Sequence, residues 1–247
     1  MNFADHFCIT FDVDWAHPEV LADTVRLVES RGLACTFFCT HAGIELPGHE
    51  RALHPNYRLG GDTMRAYDGP PDDERIFRHV VARTKSFCPE AVGARSHCLF
   101  YDSSLMAVYA EQGVEYDSTY ALPLSAGLAP VWKERGVLEM PIYYMDHIDL
   151  MGAQTGFELA GLQLDRPGLK VFDFHPIHVF LNTHTEAHYA ESRAVQRDPD
   201  ALLKKRHPGP GVRTLFEQLL DYVATASVTH STLADVNRAA RAAHGAP

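Results

Sequence analysis

The chain has 247 residues, a length that suits one domain, or two small ones, with a core of ordinary size. It carries 22 Lys and Arg against 32 Asp and Glu, and this net charge of −10 argues against a general nucleic-acid binder, because no overall basic surface neutralises phosphates. Hydrophobic residues at 46% and charged residues at 22% exclude a disordered chain. Histidine is enriched, with 15 residues, and imidazole is the commonest metal ligand in proteins.

Neither a secretory leader nor a membrane span is expected from the sequence. The first residues read MNFADH, without a basic region or a long apolar run, and no stretch reaches about 18 apolar residues. The five cysteines are odd in number and lie mostly in apolar runs, a pattern typical of reduced, buried thiols rather than of a disulfide framework. These features together predict a cytoplasmic protein.

Apolar runs rich in β-forming residues alternate with helical runs along most of the chain. In chain order, the sequence predicts strands at 7–11, 33–40, a short run ending near His54, 91–96, 114–116, 137–143 and 171–175. It predicts helices at 20–31, 72–87, 103–112, 212–224 and 232–243, the last with Ser231 or Thr232 as its cap. This alternation is typical of an α/β fold with a mostly parallel sheet wrapped by helices.

One segment interrupts the alternation of strands and helices. Residues 181–211 are polar and end in the breaker run HPGPG. Long segments without a clear strand or helix pattern are uncommon inside compact domains and are often functional. We therefore expect an insertion or lid at 183–211 within a single domain that spans residues 1–247.

Polar and titratable side chains directly follow several of the predicted strands. The residues at these positions are Asp12, Asp14, His54, Arg95, His97, His175 and His178. The carboxyl ends of parallel strands meet at one edge of the sheet, where α/β proteins place their sites. Each motif alone is also compatible with a structural role, such as a turn at Asp-Val-Asp or a core histidine at His54. Together, one or two Asp with two or three His are the donor set of a mononuclear hydrolytic metal site.

At these residues the sequence resembles the polysaccharide deacetylases, the NodB-homology or carbohydrate esterase family 4 group, and within it the WbmS-like branch. The run ITFDVD at 9–14 is similar to the family's Thr-Phe-Asp-Asp, with one residue inserted between the acids. The run GHERALH at 48–54 resembles the motif that carries the first metal histidine, and FDFH at 172–175 resembles the strand that ends in the catalytic histidine. Residues 95–97 stand where the family has its third, arginine-containing motif. These landmarks follow one another in the family's order.

The resemblance implies a distorted (β/α)7 barrel, one divalent metal ion, usually zinc, and hydrolysis of an N-acetyl group from an amino sugar. Carried over by position, Asp12 is the general base and His175 is the general acid. By the same comparison, Asp14 and His54 are metal ligands. Arg95 would then hold Asp12 by charge-assisted hydrogen bonds.

One position departs from the family pattern. The family's second metal histidine lies four residues after the first, and here that position is Arg58. A guanidinium cannot bind zinc, so either the metal is lost or another residue replaces the ligand. His97, which adjoins the arginine of the third motif, is the candidate replacement. The resulting hypothesis is that Asp14, His54 and His97 hold the metal.

Two further residues are candidates for contact with the substrate. A metal with a carboxylate base and a histidine acid would be able to hydrolyse an amide or an ester, and such a site also needs groups that position the substrate. His178 is expected to contact the substrate rather than to bind the metal. Asp146 is expected to orient His175 or to contact the sugar.

Three functions remain open at this point. The first is a cytoplasmic, metal-dependent deacetylase that acts on a small or lipid-linked sugar intermediate of polysaccharide biosynthesis. The second is a hydrolase of a non-sugar amide on the same scaffold, such as a deformylase or a ureide hydrolase. The third is a catalytically inactive sugar-binding protein that lost its metal with the histidine at position 58. The presence of Asp12 and His175 argues against the third, because binding alone needs neither a base nor an acid.

Overall fold

The strands lie in one sheet, and helices pack around it. A computed structural model describes residue 3 and residues 5–70, 72–152 and 155–245. Its strands are β1 (Asp5–Asp12), β2 (Thr36–Cys39), β3 (Glu50–Leu53), β4 (Gly93–Ala94), β5 (Tyr116–Asp117), β6 (Val131–Trp132), β7 (Leu138–Glu139), β8 (Ile142–Met145), β9 (Gly168–Phe174) and β10 (Thr229–His230). Its helices are α1 (Pro18–Glu29), α2 (Asp62–Arg65), α3 (Asp73–Lys85), α4 (Leu105–Glu111), α5 (Asp146–Gly152), α6 (Pro176–Leu181), α7 (Glu186–Ser192), α8 (Pro199–Lys204), α9 (Val212–Thr225) and α10 (Leu233–His244).

The sheet curls until its two sides meet near Pro141. Its strands are ordered β6-β7-β5-β4-β3-β2-β1-β9-β8, and the neighbours in this order are parallel except β6 and β7. β7 and β8 are two parts of one run interrupted at Pro141, so that β7 pairs with β5 and β8 pairs with β9. Backbone hydrogen bonds join Ile142 to Tyr120 and Leu122, just beyond β5. Among the described residues, the parallel ring is therefore β1 to β5, the β7–β8 run and β9, which confirms the distorted (β/α)7 barrel.

β1 lies in the middle of the sheet and positions one side of the site. It pairs with β9 over residues 5–11 and with β2 near its carboxyl end. Phe11 stacks on Phe37 of β2, with ring centroids 4.6 Å apart, and meets Phe216 of α9 edge-on at 5.6 Å. Because these rings are fully buried, they fix the end of β1 from which Asp12 projects.

The predicted strands and helices are present, with bounds that differ by a few residues. Thr232 caps α10 in a capping box, in which its hydroxyl and the Asp235 carboxylate each accept a hydrogen bond from the other residue's backbone N–H. The elements α2, α5, α6, α7, α8, β6 and β10 are not predicted from the sequence. These elements have two to seven residues each, which is too short for a hydrophobic period to be visible.

The segment 183–211 contains two helices rather than an irregular loop. α7 and α8 lie within it, and the Asn182 side chain donates to the carbonyls of His207 and Gly209, which ties the two ends of the segment together. Leu202 of α8 is buried in an apolar cluster that includes residues of α1 and α6. That this segment is an insertion or lid in a single domain spanning residues 1–247 stays a prediction.

A buried ion cluster joins β5 and β7 on the side of the barrel opposite β1. The Lys133 Nζ atom lies 2.7 Å from Oδ2 of Asp117 and 2.5 Å from Oε2 of Glu139, and it also lies 4.0 Å from the centre of the Tyr120 ring. Burial, with the negative charge of Asp117, raises the pKa of Glu139 to about 7, although Lys133 opposes this shift. The ammonium group therefore stabilises two carboxylates that have little access to water.

Replacing this lysine is expected to destabilise the fold in a pH-dependent way. Lys133→Met should lower the free energy of unfolding by about 3–5 kcal/mol near pH 8, because it leaves buried carboxylates without their cation. A carboxyl group whose pKa is raised by folding contributes stability at low pH and loses it as the pH rises through the folded-state pKa. The loss should therefore be smaller near pH 5, where Glu139 takes up a proton.

Urea denaturation at the two pH values measures this effect. Lys85→Met is the matched control, because the Lys85 ammonium donates to the backbone carbonyls of Ala91 and Gln112. We expect its loss of stability to be similar at both pH values. An equal loss for Lys133→Met at pH 5 and pH 8 would contradict the proposed role of the cluster.

Candidate metal centre

The predicted site residues converge at the carboxyl edge of the barrel. Because the ring strands are parallel, the residues that end or directly follow them reach the same edge. Asp12 ends β1, and His54, Arg95, Asp146 and His175 directly follow β3, β4, β8 and β9, respectively. Asp14 lies two residues beyond the end of β1, and His97 begins a single turn of 3-10 helix after Arg95 and Ser96.

Asp14, His54 and His97 form a compact triangle of potential metal ligands. The Oδ1 atom of Asp14 lies 3.2 Å from Nε2 of His54 and 3.0 Å from Nδ1 of His97, and these two nitrogens are 3.2 Å apart. Ligand atoms bound at about 2.0–2.1 Å to a tetrahedral zinc ion are separated by about 3.3 Å. The donor types and their spacing therefore fit one zinc ion.

The neighbouring contacts orient these donor atoms inward. The Nδ1–H of His54 donates to the backbone carbonyl of Arg95 at 2.8 Å, which leaves the lone pair of Nε2 directed at the triangle. The Oδ1 atom of Asp14 is buried and has no hydrogen-bond partner among the described residues. Burial acts to raise the pKa of Asp14, but the imidazoles of His54 and His97 hold it well below its usual value. The carboxylate is therefore ionised, as a metal ligand must be.

Left-handed backbone conformations occur on both loops that carry the triangle. Asp14 and Trp15, which directly follow Val13, have φ angles of 46° and 54°. Cys98 and Leu99, after His97, have φ angles of 58° and 52°. Non-glycine residues in this region cost about 1–3 kcal/mol each and cluster at functional sites. The chain thus adopts unfavourable backbone conformations where two of the three donors are presented.

Arg95 holds Asp12 beside the triangle. Its Nη1 lies 3.0 Å from Oδ1 of Asp12, while Oδ2 of Asp12 lies 3.6 Å from Nε2 of His54. The guanidinium is fully buried, stacks over the Phe38 ring at 4.1 Å and donates to the backbone carbonyl of Ser118. Since Arg95 has so little freedom, it fixes the direction in which the free oxygen of Asp12 points.

Asp173 belongs to the same buried network and is not among the site residues predicted from the sequence. Its Oδ1 accepts hydrogen bonds from Nη1 of Arg95 at 2.5 Å and from the Thr10 hydroxyl at 3.2 Å. Burial raises the pKa of Asp173 well above its usual value, although the positive charge of Arg95 opposes this shift. The signal in the sequence is an acidic residue inside the apolar run 171–174, where an unpaired charge would be costly. Arg95 therefore links two carboxylates rather than one.

His175 and Asp146 form a second pair across the site. One oxygen of Asp146 lies 2.7 Å from Nδ1 of His175, and the other accepts the backbone N–H of His175 at 2.7 Å. Burial acts to lower the pKa of His175, but the Asp146 carboxylate outweighs it and raises the pKa well above its usual value. The other ring nitrogen, Nε2, lies 3.7 Å from Oδ2 of Asp14. This arrangement directs Nε2 of His175 towards the triangle.

His178 packs against His175 and is not part of the triangle. The centroids of the two rings are 5.5 Å apart, and Nδ1 of His178 is hydrogen-bonded to the Thr183 hydroxyl at 3.1 Å. Burial lowers the pKa of His178 to about 4, so its ring is neutral near pH 7. His178 also borders the cavity in front of the site. A contact between this neutral ring and the substrate stays a prediction.

A cavity of about 740 Å³ opens in front of the triangle. Its lining includes Asp12, Asp14, His97, His175 and Arg58. The size falls within the range of about 300–1,000 Å³ that is usual for small-ligand sites. The site is therefore accessible to a substrate of the size of a sugar or larger.

The barrel and the Asp, His and Arg residues at its carboxyl edge define a NodB-type carbohydrate esterase fold. The family described as WbmS-like polysaccharide deacetylase matches residues 9–193. The chain belongs to this family. Family and fold together support a deacetylase, which is a hydrolase of the carbohydrate esterase group.

Two solved structures are similar to the chain over most of its length. One, from Bordetella bronchiseptica, is described as a polysaccharide deacetylase involved in O-antigen biosynthesis; it shares 28% identity at a TM-score of 0.75, over 89% of this chain and 91% of that one. The other, from Mycobacterium smegmatis, is also described as a polysaccharide deacetylase; it shares 17% identity at a TM-score of 0.58, over 99% of this chain and 92% of that one, and bears on the fold alone. A search of curated proteins gave no match. Within the described ranges, none of the helices has the length and apolar character needed to span a bilayer.

Proposed function

We propose that this protein is a metal-dependent hydrolase that removes an N-acetyl group from an amino sugar or a small or lipid-linked sugar intermediate in polysaccharide biosynthesis. The observation that carries the proposal is the triangle of Asp14, His54 and His97 between the oriented carboxylate of Asp12 and the oriented imidazole of His175. A cytoplasmic location, expected from the sequence, stays part of the proposal.

The three triangle residues would hold one divalent metal, which we propose to be zinc. When bound, zinc polarises the amide carbonyl and lowers the pKa of bound water to about 7. His97 would take the place of the family's second histidine, while Arg58 lies on the cavity wall. The fit of the donor atoms supports retention of the metal despite this substitution.

Asp12 is proposed as the general base. Its Oδ2 takes a proton from the water that attacks the carbonyl carbon of the acetamido group. Arg95 holds Oδ1 at 3.0 Å, so that the basic oxygen keeps its direction during the transfer. A base fixed in this way needs little reorganisation to reach the transition state.

His175 is proposed as the general acid. As the C–N bond of the acetamido group breaks, Nε2 of His175 donates a proton to the leaving amine nitrogen, and the products are acetate and the free amine. Asp146 is fully buried and binds both Nδ1 and the backbone N–H of His175, so we propose that it orients the acid rather than contacting the sugar.

Acetate release from a panel of N-acetylated substrates tests this proposal. The panel contains N-acetylglucosamine, its 1-phosphate and UDP-N-acetylglucosamine, each with chelator-treated protein and with zinc added back. We expect zinc-dependent release of acetate from at least one member. Formate or ammonia released from other amides, with no acetate, would favour the non-sugar amide hydrolase. Sugar binding without hydrolysis of any amide would favour the inactive binding protein.

A further inference from the structure

Three arginines line the same cavity as the metal triangle. They are Arg58, Arg193 and Arg197, and the last two belong to the 183–211 segment. Within the ranges that the structure describes, none of the three forms an ion pair with a carboxylate, although the chain carries a net charge of −10. Their side chains are available to a ligand because all three residues are exposed.

Arg197 is anchored to the loop that carries Asp14. Its Nη1 donates to the backbone carbonyl of Trp15 at 3.2 Å. Trp15 directly follows Asp14, and its ring meets the ring of His97 edge-on with centroids 5.3 Å apart. Arg197 therefore contacts the residue that directly follows Asp14 of the triangle.

Arg193 stacks on an aromatic ring that also lines the cavity. Its guanidinium carbon lies 5.3 Å from the centre of the Tyr189 ring. The Tyr189 ring in turn meets the ring of His178 at 4.6 Å, and His178 packs against His175 at 5.5 Å. A packed row of rings thus connects this guanidinium to the proposed general acid.

Arg58 lines the cavity from a part of the chain distant in sequence from the other two arginines. It lies four residues after His54, and its backbone N–H donates to the side chain of Asn56 at 3.0 Å, which shapes the turn. Two separate parts of the chain, the turn after β3 and the 183–211 segment, therefore bring positive charge to one cavity. Arg58 cannot serve as a metal ligand, but it contributes a positive charge to the cavity wall.

We propose that these three arginines form an anion subsite that binds the phosphate or diphosphate of a phosphorylated amino sugar. One guanidinium group is enough to bind a carboxylate through two parallel hydrogen bonds. Three guanidinium groups supply the larger number of donors and positive charges that a diphosphate needs. The remaining volume of the cavity accommodates the sugar ring, with its acetamido group at the triangle. This inference rests on the proposed deacetylase function and names the class of its substrate.

Isothermal titration with inorganic diphosphate tests the subsite directly. The variant replaces Arg58, Arg193 and Arg197 with Gln, and the matched control replaces Arg75, Arg83 and Arg238, which are exposed elsewhere on the surface, so both lose three positive charges. We expect the Kd of the cavity variant to rise about 100-fold or more, because several charge-assisted hydrogen bonds are lost, and that of the control to change less than about threefold.

Two results would overturn the subsite. One is an equal Kd for the cavity variant and the wild type, which would place diphosphate on the metal alone. The other is a wild-type protein that does not bind diphosphate at millimolar concentration. If the triple variant does not fold, the single variants Arg193→Gln and Arg197→Gln, each expected to weaken binding about fivefold to tenfold, make the same comparison.

Further probes distinguish the source of the anion. Inorganic phosphate, UDP and geranyl diphosphate represent a sugar phosphate, a nucleotide sugar and a lipid-linked sugar, and the probe that binds most tightly identifies the class. Failure of the proposed function is recognised separately: arginine-dependent diphosphate binding without hydrolysis of any acetylated sugar would retain the subsite and reject the deacetylase. Acetate release by the wild type, together with an unchanged Kd for diphosphate in the cavity variant, would retain the deacetylase and reject the subsite.

Discussion

Asp12→Asn is expected to lower kcat for acetate release by about 10²–10⁴-fold, while the zinc content of the protein stays at the wild-type level. The amide keeps the size of the side chain and an oxygen that accepts the hydrogen bond from Arg95, but it does not take a proton from water. Asp12 lies outside the ligand triangle, with Oδ2 3.6 Å from Nε2 of His54, so its loss should leave the metal in place.

Steady-state kinetics and elemental analysis of the same preparation measure both effects. Asp165→Asn is the control, because Asp165 is an exposed carboxylate away from the cavity and its replacement changes the net charge by the same amount. We expect the control to keep its kcat. A kcat for Asp12→Asn within about threefold of the wild type would reject Asp12 as the base.

Arg95→Met is expected to lower the free energy of unfolding by about 3–5 kcal/mol. The methionine fills part of the space, but the carboxylates of Asp12 and Asp173 then lose the cation that lies between them. Both are buried, so water does not replace the lost interaction. Urea denaturation followed by circular dichroism measures the change.

The double variant Arg95→Met/Asp12→Asn separates the charge effect from loss of packing. Removing the charge of Asp12 should recover part of the stability that Arg95→Met loses, because a buried carboxylate without its cation is gone. If the loss comes only from packing, the second substitution will add its own cost. A loss below about 1 kcal/mol for Arg95→Met alone would contradict the account of the network.

Much of the barrel is predictable because its strands are continuous apolar runs. β1 and β9 are buried on both faces, so composition alone marks them. The closure of the ring is not predictable in the same way, because it depends on how the β7–β8 run bends at Pro141. Proline is visible in the sequence, but the change of pairing partner from β5 to β9 is a tertiary event.

For the candidate site, the sequence predicts which polar residues follow the strands, but not which partners they contact. The order of the strands brings Asp12, His54 and His175 together, and a polar residue after each strand is visible in the sequence. The role of Asp173 is not visible, because it depends on a partner, Arg95, that lies 78 residues away in the chain. The cavity arginines are also hidden, since the fold of the 183–211 segment decides which side chains face the site.

The metal content of His97→Ala tests the central claim most directly, because that claim is that His97 restores a ligand set that Arg58 would otherwise leave incomplete. His147→Ala is the control: His147 lines the same cavity, with its ring 6.1 Å from that of His175, but is not part of the triangle. After dialysis against a competing chelator, we expect one zinc ion per chain in the wild type and the control. In His97→Ala, zinc affinity should fall more than about 100-fold, which exceeds the loss typical of removing a residue that only hydrogen-bonds to a metal ligand. Full zinc occupancy in His97→Ala under the same dialysis would contradict the assignment.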